Sequence, residues 1–217
     1  MKSIAAFFLL FTLTLSSFAQ NSDNIINNRL PLDEVLFTDD NGVSTFDIQK
    51  GDTLIFAVNA GGSQYDFVVS VNEYSYDNGI KFNWYMTEPV GLSGNIIVTP
   101  DAKNNATRYH NYFSYGEKTL TDASCIWLSG TNFGDMPART TSIKMDNNAA
   151  ENYLRPQDDA VKHVINYRGK EVTLDAFKIN NGKEAPYTRE LHVLNTSANP
   201  LIVSMNLGWT ISLKEIR

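Results

Sequence analysis

The sequence predicts a mainly β protein: a curved antiparallel sheet, half-barrel or barrel, with one helix near 100–112 and a short helix near 130–136. Three observations lead there. Residues 65–72 and 80–87 alternate between an apolar face and a mostly polar one, the period-two signature of a sheet with one face on a core. Turn signals recur at Gly61-Gly62, Asp77-Asn78-Gly79, Arg168-Gly169 and Ala198-Asn199-Pro200. The strongest helix start is Thr99-Pro100-Asp101, an N-cap followed by a first-turn proline and an acid that complements the helix dipole.

The N-terminal stretch "MKSIAAFFLLFTLTLSSFAQ" has the three parts of a secretory signal. Lys2 supplies the charge, Ile4 to Leu15 the apolar run, and Ser17-Phe18-Ala19 the small-residue cleavage site. The expected organisation is therefore a signal peptide at 1–19, a flexible leader at 20–34 and a single β-rich domain at 35–217. Secretion or a periplasmic location follows from that reading. The apolar run is short of the roughly 20 residues of a membrane span, and no later segment reaches that length. With 18 Lys and Arg against 24 Asp and Glu, and no basic run, neither nucleic acid nor an anionic membrane is an expected partner.

From Thr53 onward the strands follow in order. "TLIFAV" is apolar in succession at Leu54, Ile55 and Phe56, which suits burial on both faces. In the next strand Tyr65, Phe67, Val69 and Val71 oppose Asp66, Ser70 and Asn72. Then Ile80, Phe82, Trp84 and Met86 oppose Lys81, Asn83, Tyr85 and Thr87. After a short strand at 95–98, Ala102, Ala106, Tyr109 and Phe113 recur at helical spacing. Ser129 is the N-cap of the short second helix, with Phe133 as its anchor. Strands are expected again at 140–146, 161–167, 171–179, 188–195, 201–206 and 208–216, with the polar segment 146–160 as a surface loop.

Candidate chemistry is sparse. Cys125 is the only cysteine, so it forms no internal disulfide, and its neighbours Ile126-Trp127-Leu128 read as a core strand rather than a thiolate environment. His110, His163 and His192 stand singly, without metal-ligand spacing. The "DDNG" and "DNN" stretches lack the continuation of a calcium loop. Glu117, Asp122 and Asp135 are candidates for a glycosidase-like carboxylate pair, with ordinary solvated acids as the plainer reading. Tyr74, Tyr76, Tyr85 and Tyr115 fall on the face opposite the core pattern, where exposed aromatics would suit a glycan. "RYHNYFSYG" groups Arg108, Tyr109, His110 and Asn111. Its "YFSYG" resembles the "YFKAG" motif of jelly-roll alginate lyases, although the companion Gln-Ile-His motif is missing.

The segments "YDFVVSV", "FNWYMTEP", "NYFSYGE", "LTDASCIWLS" and "NPLIVSMNLGWTISLKEI" together resemble a family of secreted bacterial β-rich proteins of unknown function. The resemblance implies no activity. The layout is also similar to periplasmic barrel or half-barrel domains that hold lipidic ligands. The resulting expectation is an exported, non-enzymatic binder of an apolar or glycan ligand, or of an envelope partner. A secreted carbohydrate-active hydrolase or lyase is the alternative. The predicted ligand-binding residues are Phe82, Trp84, Tyr109, Phe113 and Trp209, with the helix after Pro100 as a lid. No catalytic residue, metal ligand or cofactor is assigned.

Overall fold

The computed structural model describes residues 35–39, 42–88, 91–136, 141–145, 151–181 and 189–217. The predicted signal and leader lie outside them. A hairpin of β1 (Val35–Asp39) and β2 (Gly42–Phe46) precedes a sheet of thirteen strands. In chain order these are β3 (Thr53–Ala60), β4 (Ser63–Ser75), β5 (Gly79–Met86), β6 (Ser93–Val98), β7 (Arg108–Tyr109), β8 (Gly116–Leu120) and β9 (Ala123–Ser124). They continue with β10 (Thr141–Met145), β11 (Glu151–Tyr167), β12 (Lys170–Asn180), β13 (Glu190–Leu194), β14 (Ile202–Asn206) and β15 (Thr210–Ile216). Helix α1 (Pro100–Asn105) follows β6, and α2 (Gly130–Asp135) follows β9.

The strand order is β8-β6-β5-β4-β3-β15-β14-β13-β12-β11-β10-β7-β9. The end of β11 also pairs in parallel with β15, Tyr167 opposite Ile216. That pairing closes β11, β12, β13, β14 and β15 into a five-stranded barrel, from which β3 to β6 and β8 extend as an open, curved wing. Most pairings are antiparallel, as expected. The parallel ones are β6–β8, β10–β7, β7–β9 and β11–β15.

Local chemistry explains the joints. At the β11–β12 hairpin Arg168 and Gly169 have φ of 52° and 85°, the two positive values of a tight turn that matches strand twist. Gly79 enters β5 with φ of 75°, and a Cβ there would overlap the Val98 carbonyl oxygen. At the barrel seam Arg168 Nη2 donates to both oxygens of the buried Asp52 carboxylate at 3.0 Å, while its guanidinium lies over the Tyr167 ring.

Three predicted elements take a different form, the first being the core strand expected at Ile126-Trp127-Leu128, which a turn at Ile126 breaks after β9. Helix α1 starts as expected, with the Thr99 hydroxyl accepting from Ala102 N–H, but it ends at Asn105 rather than continuing toward 112. Ala106 turns extended because the carbonyls at the end of the helix find tertiary partners: Ser129 Oγ donates to Ala106 O, and Thr131 Oγ1 to Asn104 O. The polar segment 151–160, expected as a loop, belongs to β11, with a register shift between Pro156 and Ala160 where proline removes a ladder donor.

Two apolar cores result. The larger joins the wing to the barrel through Phe56, Phe67, Val69, Phe82, Trp84, Trp127, Leu174 and Leu213. The smaller packs the other face of β12 to β14, at Ile179, Leu191, Val193, Ile202 and Met205, against Tyr109, Leu128, Phe133 and Ile143. Burial on both faces accounts for the continuous apolar run Leu201-Ile202-Val203.

Candidate functional site

Register builds the site. Met86, Phe67 and Phe56 line up across β5, β4 and β3, and Tyr65, Val58, Ile211 and Met205 form the next row across β4, β3, β15 and β14. Side chains of paired residues share a face. These rows make one apolar wall, which the segment 109–113 and Ile126 cross from the other side. Between them lies a cavity of about 530 Å³. Its lining includes Phe56, Val58, Tyr65, Phe67, Met86, Leu92, Tyr109, Asn111, Tyr112, Phe113, Ile126, Met205, Trp209 and Ile211. Among the described residues, no acidic, basic or histidine side chain lines it. The polar groups of its described lining include the Asn111 amide, the Trp209 indole N–H and tyrosine hydroxyls.

Trp127 N–H donates to Cys125 O at 2.7 Å, closing a three-residue turn. At its centre Ile126 has φ of 66°, an unusual conformation for a β-branched side chain. Ile126 N–H donates to the hydroxyl of buried Tyr109 at 3.2 Å, and Ile202 N–H donates to Ile126 O. Phe113 wedges against Phe67 and Trp84, with ring centroids 4.5 and 5.2 Å away. Strain of this kind persists only where the surroundings hold it, and here it faces the cavity.

Of the five predicted ligand-binding residues, Tyr109, Phe113 and Trp209 line the cavity. Phe82 and Trp84 do not; both are sealed in the larger core, where Trp84 supports Phe113 from beneath and Phe82 packs on Trp127. Tyr109 and Phe113 do not lie on a helix, as the lid reading required, but on β7 and the extended segment after it. Phe56, Val58, Tyr65, Phe67, Met86, Met205 and Ile211 were not singled out as site residues. Their alternation placed several on the core face, but nothing local distinguishes a covered part of that face from an open one.

No family model, curated protein or solved structure matches this chain.

The other candidates disperse. Cys125 is buried and forms no disulfide among the described residues. Arg108 Nη1 pairs with Asp122 Oδ2 at the surface, the Tyr109 hydroxyl is taken by the Ile126 backbone, and His110 packs 6.2 Å from the Phe113 ring. Tyr74 is largely buried, stacked 5.4 Å from Trp127 with its hydroxyl donating to Ala198 O. Burial, with Asp47 nearby, pushes that hydroxyl's pKa well above the usual tyrosine range.

Two histidines meet unexpectedly. His163 Nε2 lies 2.7 Å from His192 Nδ1, His192 Nε2 is 2.9 Å from Glu190 Oε1, and Lys178 Nζ is 2.9 Å from Glu190 Oε2. Burial and the neighbouring His192 hold His163 down to about 4. Burial raises the Glu190 pKa, but hydrogen bonds from Lys178 and His192 bring it below the ordinary carboxylate range. Among the described residues no group of three or more His, Cys, Asp or Glu side chains is arranged to hold a metal ion. No helix among them is long and apolar enough to cross a membrane.

Proposed function

We propose that the chain is an exported, non-catalytic carrier or receptor for an apolar ligand held between the β3–β4–β15 wall and the segment 109–113. The observation that carries the reading is the uncharged cavity of about 530 Å³, within the range of roughly 300–1,000 Å³ that small-molecule sites occupy. Aliphatic and aromatic side chains line it from both sides, and Asn111 and the exposed Tyr112 add polar groups that could meet a headgroup. An acyl chain or similar hydrocarbon gains by leaving water there. A free sugar is the poorer fit, since most of its hydroxyls would find no partner. The N-terminal signal pattern and the resemblance to secreted bacterial proteins support export.

The test is titration with an anthroyl-labelled fatty acid, read by energy transfer from the protein's tryptophans. For a ligand of about 20 heavy atoms, an efficiency of roughly 0.3 kcal/mol per atom gives a Kd on the order of tens of micromolar. Ile211→Arg places a charge in the cavity and is expected to abolish the signal while circular dichroism stays native. Absent binding to the unmodified protein, or equal binding to Ile211→Arg, would overturn the proposal.

A further inference from the structure

We propose a second binding site, for an uncharged polysaccharide strand, on the opposite face of the wing along a groove between Tyr85 and Tyr115. Period two sends Asn83 and Tyr85 to the face opposite Phe82 and Trp84. Register then aligns Ser70, Asn83, Asn95 and Glu117 in one row across β4, β5, β6 and β8, and sets Ser93 opposite Tyr85. Tyr115 enters β8 beside this row. Asn83, Tyr85, Ser93, Asn95, Tyr115 and Glu117 line a shallow groove of about 430 Å³.

The chemistry of the groove selects its occupant. Tyr85 is 47% and Tyr115 81% exposed, so two aromatic rings stand in water at its margins. Pyranose rings present apolar C–H faces that cover such rings and equatorial hydroxyls that both donate and accept. The groups between the tyrosines offer the matching functions. Among the described residues Ser93, Asn95 and Glu117 have no side-chain partner, and Asn83 Oδ1 accepts from Asn72 Nδ2 at 2.8 Å, which fixes that amide's orientation. An apolar occupant would strand these groups. An anionic polymer, nucleic acid included, would meet one carboxylate and no cation among the described residues of the groove. Strands about 4.8 Å apart make the four-strand row roughly 14 Å long, the length of about three linked sugar rings.

The floor is stiff as well. Gly94 faces Gly116 across β6 and β8, and a Cβ on Gly94 would overlap the Gly116 carbonyl oxygen and touch the Trp84 indole. The indole thus packs directly beneath the groove, so the site is formed before any ligand arrives.

The experiment is titration of the full chain with cellohexaose, maltohexaose, laminarihexaose and N-acetylchitohexaose, followed by amide chemical shifts. At least one is expected to shift residues 83–85, 93–95 and 115–117 at millimolar concentration or below. Tyr115→Ala is expected to weaken that binding roughly tenfold, and Tyr85→Ala with Tyr115→Ala to remove it. Both substitutions lie on the surface and leave fatty-acid binding in the cavity unchanged, so this site and the apolar one stand or fall separately. No shift with any of the four sugars, or undiminished binding to the double variant, would overturn the proposal.

Discussion

The cavity wall made by β3, β4, β5 and β15 is tied by continuous ladders, each strand hydrogen-bonded on both sides. The facing wall, residues 106–113 and 123–128, is paired instead through the two-residue strands β7 and β9, with β8 between them tied to β6, and it bends at a turn where Ile126 has positive φ. The first wall is a scaffold whose shape depends on many small, redundant contributions. The second includes single contacts that a substitution can remove: Tyr109 with Ile126, Phe113 with Trp84, and Ser129 with Ala106. Local opening is cheapest where ladder strands are short, so we propose the second wall as the gate of the cavity.

Substitutions can break that comparison. The largest effect is expected from Trp84→Ala, which removes a fully buried side chain from the scaffold and the support under Phe113. A loss of about 3–5 kcal/mol in urea unfolding is expected, as for other large-to-small aromatic changes in a core. A loss below about 1 kcal/mol would show that the wing is not a packed scaffold.

Tyr109→Phe probes the gate. It leaves the ring and removes only the hydroxyl that accepts from Ile126 N–H, so a buried backbone donor loses its partner at a cost of about 1–3 kcal/mol. Hydrogen exchange is expected to quicken across 106–113 and 123–128 while β3 to β5 stay protected. Uniform quickening in both walls would mean that they open as one unit.

The smallest effect is expected from acid, and it falls on the barrel rather than on either wall. His163 takes up its proton near 4 in the folded state but near 6.5 when unfolded, so between those values the unfolded chain binds more protons. Stability should therefore fall as the pH drops from about 6.5 to about 4, with water at this partly exposed pair softening the effect. Glu190, lowered in the folded state, adds to the same loss as the pH falls further. Urea midpoints against pH, with His163→Gln as the comparison, check this: the variant should show a flatter slope between 4 and 6.5.

The scaffold was legible in the sequence and the gate was not. Alternation in 65–72 and 80–87 identified strands, faces and turns because a half-buried sheet imposes period two directly on residue type. Ala102, Ala106, Tyr109 and Phe113 mimic a helical stripe, and all four do turn inward. Only the first lies within α1, however, because Ser129 and Thr131, more than twenty residues away, draw the chain out of the helix. The Ile126 turn opposes the residue's own preference, so no local rule announces it. His163 and His192 meet only because β11 and β13 flank β12. Phe82 and Trp84 were placed on the correct face, but period two does not say which part of a face α1 and its neighbours cover and which part remains a cavity.

Native mass spectrometry of the protein isolated from the cells that make it tests the central claim most directly. The account predicts a mass above that of the chain, lost on extraction with organic solvent, identified as an apolar molecule, and missing from the Ile211→Arg variant. A bare chain, or the same adduct on Ile211→Arg, would contradict it.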